Sequence, residues 1–155
     1  METATNTILF GCNETAIPEG VSAIEFGAFT TCEKLEALHI PSSLDSIPSG
    51  TFSYCPNLTA ITVADGNSKF DSRSNCNAII ETATGTLLRG CVNTVIPKDV
   101  EHIAAEAFYN CKSLEKIVIP DAVQTIGYEA FYGCTSLTSI TFGAGVRDLG
   151  IAVFP

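Results

Sequence analysis

Positive charge is scarce in this sequence. Eight Lys and Arg stand against seventeen Asp and Glu, for a net charge of −9 and a pI near 4.5. So acidic a surface repels phosphate backbones and anionic headgroups, which argues against nucleic acid or an anionic membrane as partner. Charge of either sign is sparse, 16% of residues against 46% apolar. That balance excludes a disordered chain and suits a packed core. Long apolar runs are missing too: nothing approaches the ~18 residues of a spanning helix, so no membrane insertion is expected. The stretch Met1 to Thr7 lacks a basic region followed by an apolar one, so no signal peptide is read there. The seven cysteines are an odd number, so one chain cannot pair them all.

Catalytic signatures are absent as well. There is no G-x-S-x-G, H-E-x-x-H, Walker loop or G-x-G-x-x-G. Acidic pairs such as Glu33 and Glu36 read as repeat-surface charges with no spacing suited to acid–base work. The expectation is a protein that is not an enzyme, with no catalytic residue, no metal site and no cofactor. A chain of 155 residues is one domain.

What is present is repetition. From Ile17-Pro18 the apolar slots are Val21, Ile24, Phe29, Cys32, Leu35 and Leu38, and from Ile40-Pro41 they are Leu44, Ile47, Phe52, Cys55, Leu58 and Ile61. From Ile96-Pro97 they are Val100, Ile103, Phe108, Cys111, Leu114 and Ile117, and from Ile119-Pro120 they are Val123, Ile126, Phe131, Cys134, Leu137 and Ile140. The units are therefore 17–39, 40–62, 96–118 and 119–141, with partial units at 1–16 and 142–155 and a long unit at 63–95. The long unit is the regular repeat plus an insertion, and its second half reappears at the start of the chain. Glu81-Thr82-Ala83-Thr84 matches Glu2-Thr3-Ala4-Thr5, and Gly90-Cys91 matches Gly11-Cys12. The chain begins inside a long unit and ends inside a short one, so it reads as a segment of a longer array whose upstream part would carry any export signal.

Within a unit, Leu35-x-x-Leu38-x-Ile40 closes on the alternation of a short strand with one buried face. Pro41 then ends the hydrogen bonding. Gly27-Ala28-Phe29, Ala107-Phe108 and Ala130-Phe131 read as compact turns or short 3-10 or α segments that drive an aromatic ring inward. Such a unit cannot bury its apolar face alone, so stacked copies share one core and align their strands in parallel. The expected architecture is an α/β-type repeat solenoid with a parallel concave sheet, short helical or 3-10 returns, and one inserted β-hairpin. Ala78-Ile79-Ile80 and Thr86-Leu87-Leu88 supply the hairpin strands, and it is expected to project from one edge as a recognition feature or a stiffener.

The pattern I-P-x-x-V-x-x-I-x-x-x-A-F-x-x-C-x-x-L-x-x-I resembles the BspA-type leucine-rich repeats of bacterial and protozoan surface proteins. The insertion from Phe70 to Thr82 is similar to the long unit of such proteins from gut Bacteroidetes. Thr51, where Ala is usual before Phe52, and residues 150–155 depart from the pattern. The resemblance implies an extracellular or cell-surface interaction protein of adhesin type, with no catalytic residues to carry over.

Three sets of residues invite a functional reading. Cys32, Cys55, Cys111 and Cys134 share one slot, at a coil spacing near disulfide range. Leu9 and Leu88 occupy the same slot, which favours packing over a disulfide or zinc, for which only His39 and His102 could help. Asp65, Asn67 and Asp71 place oxygens in one loop, where a turn is favoured over calcium. The outward strand slots are Ala37 and His39, Ala60 and Thr62, Lys116 and Val118, Ser139 and Thr141. They read as a binding face rich in Thr and Ser, suited to a protein or glycan on a host or bacterial surface, or as a plain solvated strand face. The competing whole-chain reading is a structural spacer with no ligand of its own. Neither end offers a polar cap, so weak self-association through the coil ends is also expected.

Overall fold

The computed structural model describes residues 6–8 and 16–154. Leu9, Cys12 and the Glu2–Thr5 match of the first partial unit lie outside them. Along the chain run β1 (Thr7–Ile8), β2 (Ala23–Ile24), β3 (Ala37–Ile40), β4 (Ala60–Val63), β5 (Phe70–Asp71) and β6 (Ala78–Glu81). There follow β7 (Thr86–Gly90), β8 (His102–Ile103), β9 (Lys116–Ile119), β10 (Thr125–Ile126), β11 (Ser139–Phe142) and β12 (Asp148–Leu149). Two kinds of strand recur in the regular units. Four-residue strands end at the slot that holds Ile40 and Ile119, each followed by proline, and Val63 and Phe142, while two-residue strands sit at the Ile of the V-x-x-I step.

Strands of one kind pair in parallel at the repeat offset: Ala37 lies opposite Ala60, and Lys116 opposite Ser139. The solenoid is thus built from backbone bonds between coils rather than within them. The two-residue strands join a six-stranded sheet in the order β12-β10-β8-β7-β6-β5, whose last two pairings are antiparallel. The expected single parallel sheet is corrected here. The four-residue strands form two separate ladders, β3–β4 and β9–β11, and the longest sheet belongs to the other kind of strand.

The expected helical returns are corrected too. Among the described residues the one helical element is a 3-10 turn at Arg73–Asn75, inside the insertion. The returns are turns because, in each of the regular coils described, the residue before the inward step is left-handed. Gly27, Gly50, Glu106, Glu129 and Ala152 have φ of 78°, 74°, 58°, 51° and 53°. A left-handed residue at a fixed slot terminates any right-handed helix before it can propagate. The fold is therefore a β-solenoid rather than an α/β arrangement.

The hairpin of β6 and β7 does not project. Ala78, Ile79, Ile80 and Leu87 are fully buried. Its residues divide between two cores: Ala78, Ile80 and Leu87 pack with the downstream coils, Ile79 with the upstream coils, and partly buried Leu88 against the latter. A strand pair whose two faces are both apolar must be covered on both sides. The insertion is a wall between two halves of the solenoid. A register shift between Ile79 and Ile80 marks the bulge that accommodates this change of partners.

Phenylalanines fill the centre. Phe29 and Phe52 lie 5.1 Å apart in the upstream half. Downstream, Phe108, Phe131 and Phe154 stack at 4.8 and 5.7 Å. Gly90, at the end of β7, closes the downstream column: a Cβ there would lie 2.2 Å from the Phe108 ring.

Candidate functional site

The structure divides the eight outward residues between two ladders. Ala37, His39, Ala60 and Thr62 lie on β3–β4. Lys116, Val118, Ser139 and Thr141 lie on β9–β11. Ala60 is half-buried and the other seven are exposed. His39 and Thr62 face each other across the first ladder, with Nδ1 and Oγ1 at 2.9 Å. His102 and Thr125 make the same contact on the other sheet, also at 2.9 Å. Both histidines are thus held by threonine hydroxyls one coil away.

The division goes with a local difference in sequence. In the slot after β4 and β11, Ala64 and Gly143 donate their N–H to the carbonyls of Ile40 and Ile119, at 2.8 and 2.7 Å. Pro120 occupies that slot next to residues 93–96 and has no N–H to give to Ile96. On their upstream side residues 93–96 tie back to the base of the hairpin. Val95 N–H donates to the Cys76 carbonyl at 3.1 Å, and Thr94 Oγ1 donates to the Asn77 carbonyl at 2.6 Å.

A groove of about 700 Å³ opens over this break, lined by residues 94–96, 116–121 and 141–143, with Lys98 at its rim. Its exposed apolar groups are Val95, 74% exposed, Val118, 63% exposed, and Phe142, 46% exposed. In a chain whose inward slots are nearly all buried, that is a concentrated apolar surface. Lys98 and Lys116 are exposed beside it, and the ion pairs among the described residues all involve Arg73, with Asp71 and Asp99. Asn93 and Val95 form a further outward pair that the strand pattern does not reveal, although each stands one repeat length before Lys116 and Val118.

The turn side carries a second surface that sequence reasoning missed. All four tyrosines of the chain gather there with Glu106 and Glu129. Tyr109 and Tyr132 stack at 5.5 Å, and Lys112 Nζ lies 6.0 Å from the Tyr54 ring centroid. Desolvation, then the Glu129 carboxylate, raises the Tyr109 hydroxyl pKa above its ordinary value. Tyr109 and Tyr132 share one slot, but Tyr54 and Tyr128 stand in others, so no single period in the sequence announces the whole cluster.

Cys32, Cys55, Cys76, Cys91, Cys111 and Cys134 are buried, reduced thiols. Cys55 Sγ donates to the Phe29 carbonyl at 3.4 Å, and Cys134 Sγ to the Phe108 carbonyl at 3.1 Å. Burial pushes both thiols up to about 12. A thiol held in that form is a packing group rather than a nucleophile.

The oxygen-bearing loop serves the backbone. Asn67 Oδ1 accepts from the N–H groups of Lys69 and Phe70, both at 2.9 Å, and its amide donates to the carbonyls of Pro41 and Leu44. Asp71 holds Arg73 through two bonds of 2.6 and 2.8 Å. With these oxygens engaged, the loop is a turn that pins the insertion to the preceding coil. Arg73 also reaches Asp99 at 2.5 Å, which lowers the Asp99 carboxyl below its ordinary range.

One buried cation stands apart. Arg89, on β7, is 3% exposed; its guanidinium donates to the carbonyls of Glu106 and Tyr109 at 3.2 and 3.3 Å, while Nε has no partner. It ties the hairpin to the turn of the next unit.

Among solved structures, a leucine-rich cell surface protein from Faecalibacterium prausnitzii A2-165 matches with 24% identity and a TM-score of 0.68, over 96% of this chain and 42% of that one. The pneumococcal vaccine antigen PcpA matches with 18% identity and a TM-score of 0.70, over 93% of this chain and 45% of that one. The chain thus spans less than half the length of either, and the likeness is one of fold. No curated protein sequence matches the chain. Among the described residues no helix is long and apolar enough to cross a membrane. The family model described as a BspA type leucine rich repeat region matches in six copies, over residues 6–86 and 89–155. With that coverage of the stacked coils described above, the chain belongs to the BspA-type leucine-rich repeat family.

Proposed function

We propose that this chain is a non-catalytic protein-interaction module of adhesin type, displayed at a cell surface, with its binding face on the four-residue strands. The observation that carries the reading is the groove at the break between the ladders. There Val95 and Val118 stay exposed in a chain that buries nearly every other aliphatic repeat slot, with Lys98 and Lys116 unpaired beside them. An apolar floor flanked by cations suits a protein partner better than a neutral glycan. In a chain of net charge −9, two lysines against the single carboxylate of Asp121, whose Oδ1 accepts from the Ala144 N–H, make this groove a local feature that favours acidic groups. The surface location of a protein of like fold supports the setting, and the absence of convergent catalytic groups in the groove supports the non-catalytic reading.

The test is a binding screen of the folded chain against immobilised extracellular-matrix proteins and a glycan array. Beside it run the triple variant His39→Ala, Thr62→Ala, Lys116→Ala and the single variant Val118→Asp. A protein partner that both variants lose supports the reading. A partner retained by both places recognition elsewhere, on the tyrosine side for example. A folded chain that binds nothing returns the spacer reading.

A further inference from the structure

We infer that the partner at this groove is an extended, acid-bearing peptide segment that adds as a strand to the open edge of β9. The inference rests on the interaction reading above and says what kind of partner the groove takes.

The edge follows from hydrogen-bond alternation. In a parallel ladder, successive residues direct their N–H and C=O groups to opposite neighbours. The carbonyls of Glu115 and Ile119 accept from residues of the next coil, Ser139 and Gly143, so the odd-numbered residues of β9 face β11. Lys116 and Val118 therefore present their N–H and C=O to the opposite side, toward residues 93–96. No backbone hydrogen bond joins them to those residues. The edge of β4 on the other side of the insertion is covered: Ile61 N–H donates to Asn77 Oδ1, and the Ile61 carbonyl accepts from Ser72 Oγ, both at 3.4 Å. The edge of β9 has no such cover.

The groove reaches this edge, running from residues 94–96 across β9 to residues 141–143. Its volume of about 700 Å³ lies in the ~300–1,000 Å³ range of formed ligand clefts. A strand added there would meet two donors and two acceptors from Lys116 and Val118, which supply sequence-independent affinity. Its alternate side chains would reach the apolar surface of Val95 and Val118, so that face should be aliphatic. Lys98 and Lys116 select carboxylates at its ends. The solenoid's remaining surface is acidic and would repel the same peptide elsewhere, which confines it to this edge.

The probe is a synthetic seven-residue peptide of alternating valine and threonine with a glutamate at each end. Its controls are the same peptide with lysine ends and the same peptide N-methylated on alternate nitrogens. Binding to the folded chain is followed by fluorescence anisotropy, and amide hydrogen exchange is read at Lys116 and Val118. The expected result is saturable binding that weakens at least tenfold on N-methylation, with lysine ends, and in the variant Lys98→Glu, Lys116→Glu. The two amides should become at least tenfold slower to exchange in the complex. Failure of the glutamate peptide to bind overturns the proposal, as does binding that leaves both amides unprotected or survives N-methylation. The interaction reading fails separately. A partner from the screen that is lost on Val118→Asp keeps the groove as an interface even when the peptide fails, whereas an empty screen together with a silent peptide removes both.

Discussion

Replacing Gly90 by alanine tests whether the hairpin is a packed wall. The added Cβ would lie 2.2, 2.5 and 3.0 Å from three carbons of the Phe108 ring, where contact carbons sit at about 3.5–4.0 Å. Relief needs a shift of more than ~1 Å. Phe108 cannot supply it, because the ring is fully buried and stacked at 4.8 Å on Phe131, itself stacked on Phe154. Gly90 is also tied to that coil through its N–H, which donates to the Ala107 carbonyl at 2.9 Å. Overpacking of this kind costs about 1–3 kcal/mol. The lower chain entropy of unfolded alanine offsets roughly 0.4–1 kcal/mol. The expected net loss is about 1–2 kcal/mol, or a fall in Tm of roughly 2–8 °C for a domain of this size. Urea unfolding followed by far-ultraviolet dichroism measures it. The double variant Gly90→Ala, Phe108→Leu should recover part of the loss, giving a coupling of at least ~0.5 kcal/mol. A stability of Gly90→Ala within ~0.5 kcal/mol of the parent, or two losses that simply add, would refute the packing described for the hairpin. Gly66→Ala is the contrasting control. No atom lies within 4 Å of its Cβ position, so its cost comes from φ of +92° alone and no neighbouring truncation rescues it.

Other outcomes follow from the same structure. Ala152→Gly should stabilise the chain by about 0.5–1 kcal/mol, because Ala152 holds φ of 53° in the slot where Gly27 and Gly50 stand; a lower melting temperature would count against the strain argument. The six described thiols should resist Ellman's reagent at pH 8 until denaturant is added, so fast reaction of more than one of the seven thiols would contradict their burial. Cys55 and Cys134 ionise near 9 when unfolded and only near 12 when folded, so the unfolded state loses protons first. Stability should therefore be unaffected by these thiols below pH 9 and fall as pH rises from 9 toward 12, a decline that Cys55→Ala, Cys134→Ala should flatten in pH-dependent urea titrations.

Much of the molecule was legible in the sequence because a solenoid repeats its instructions. Ile17, Ile40, Ile96 and Ile119 recur at one slot, Phe29, Phe52, Phe108 and Phe131 at another, and all are buried as their period requires. The hairpin strands were legible for the same local reason, an apolar run on each side of a Gly-bearing turn. The outward slots were legible as positions but not as a site. Where neighbouring rungs bond, a backbone N–H in the slot after the strand adds one hydrogen bond to the ladder. Ala64 and Gly143 supply it where Pro120 does not, a difference visible in the sequence whose consequence appears only once the coils are stacked.

The sequence by itself determined the family, the coil length, the inward-facing residues and the burial of the cysteines, since each follows from a spacing that one coil imposes on the next. Only the tertiary structure decided that the returns are left-handed turns, that the insertion divides the core instead of projecting from it, and that the strand face breaks into two ladders with a groove between them. Those outcomes depend on contacts between residues outside the common period. Gly90 must lie flat against Phe108, Ala78 and Ile79 must face different cores, and Val95 must bond to Cys76 at the base of the hairpin. Contacts of that kind are fixed by how unlike units pack together, which no single repeat encodes.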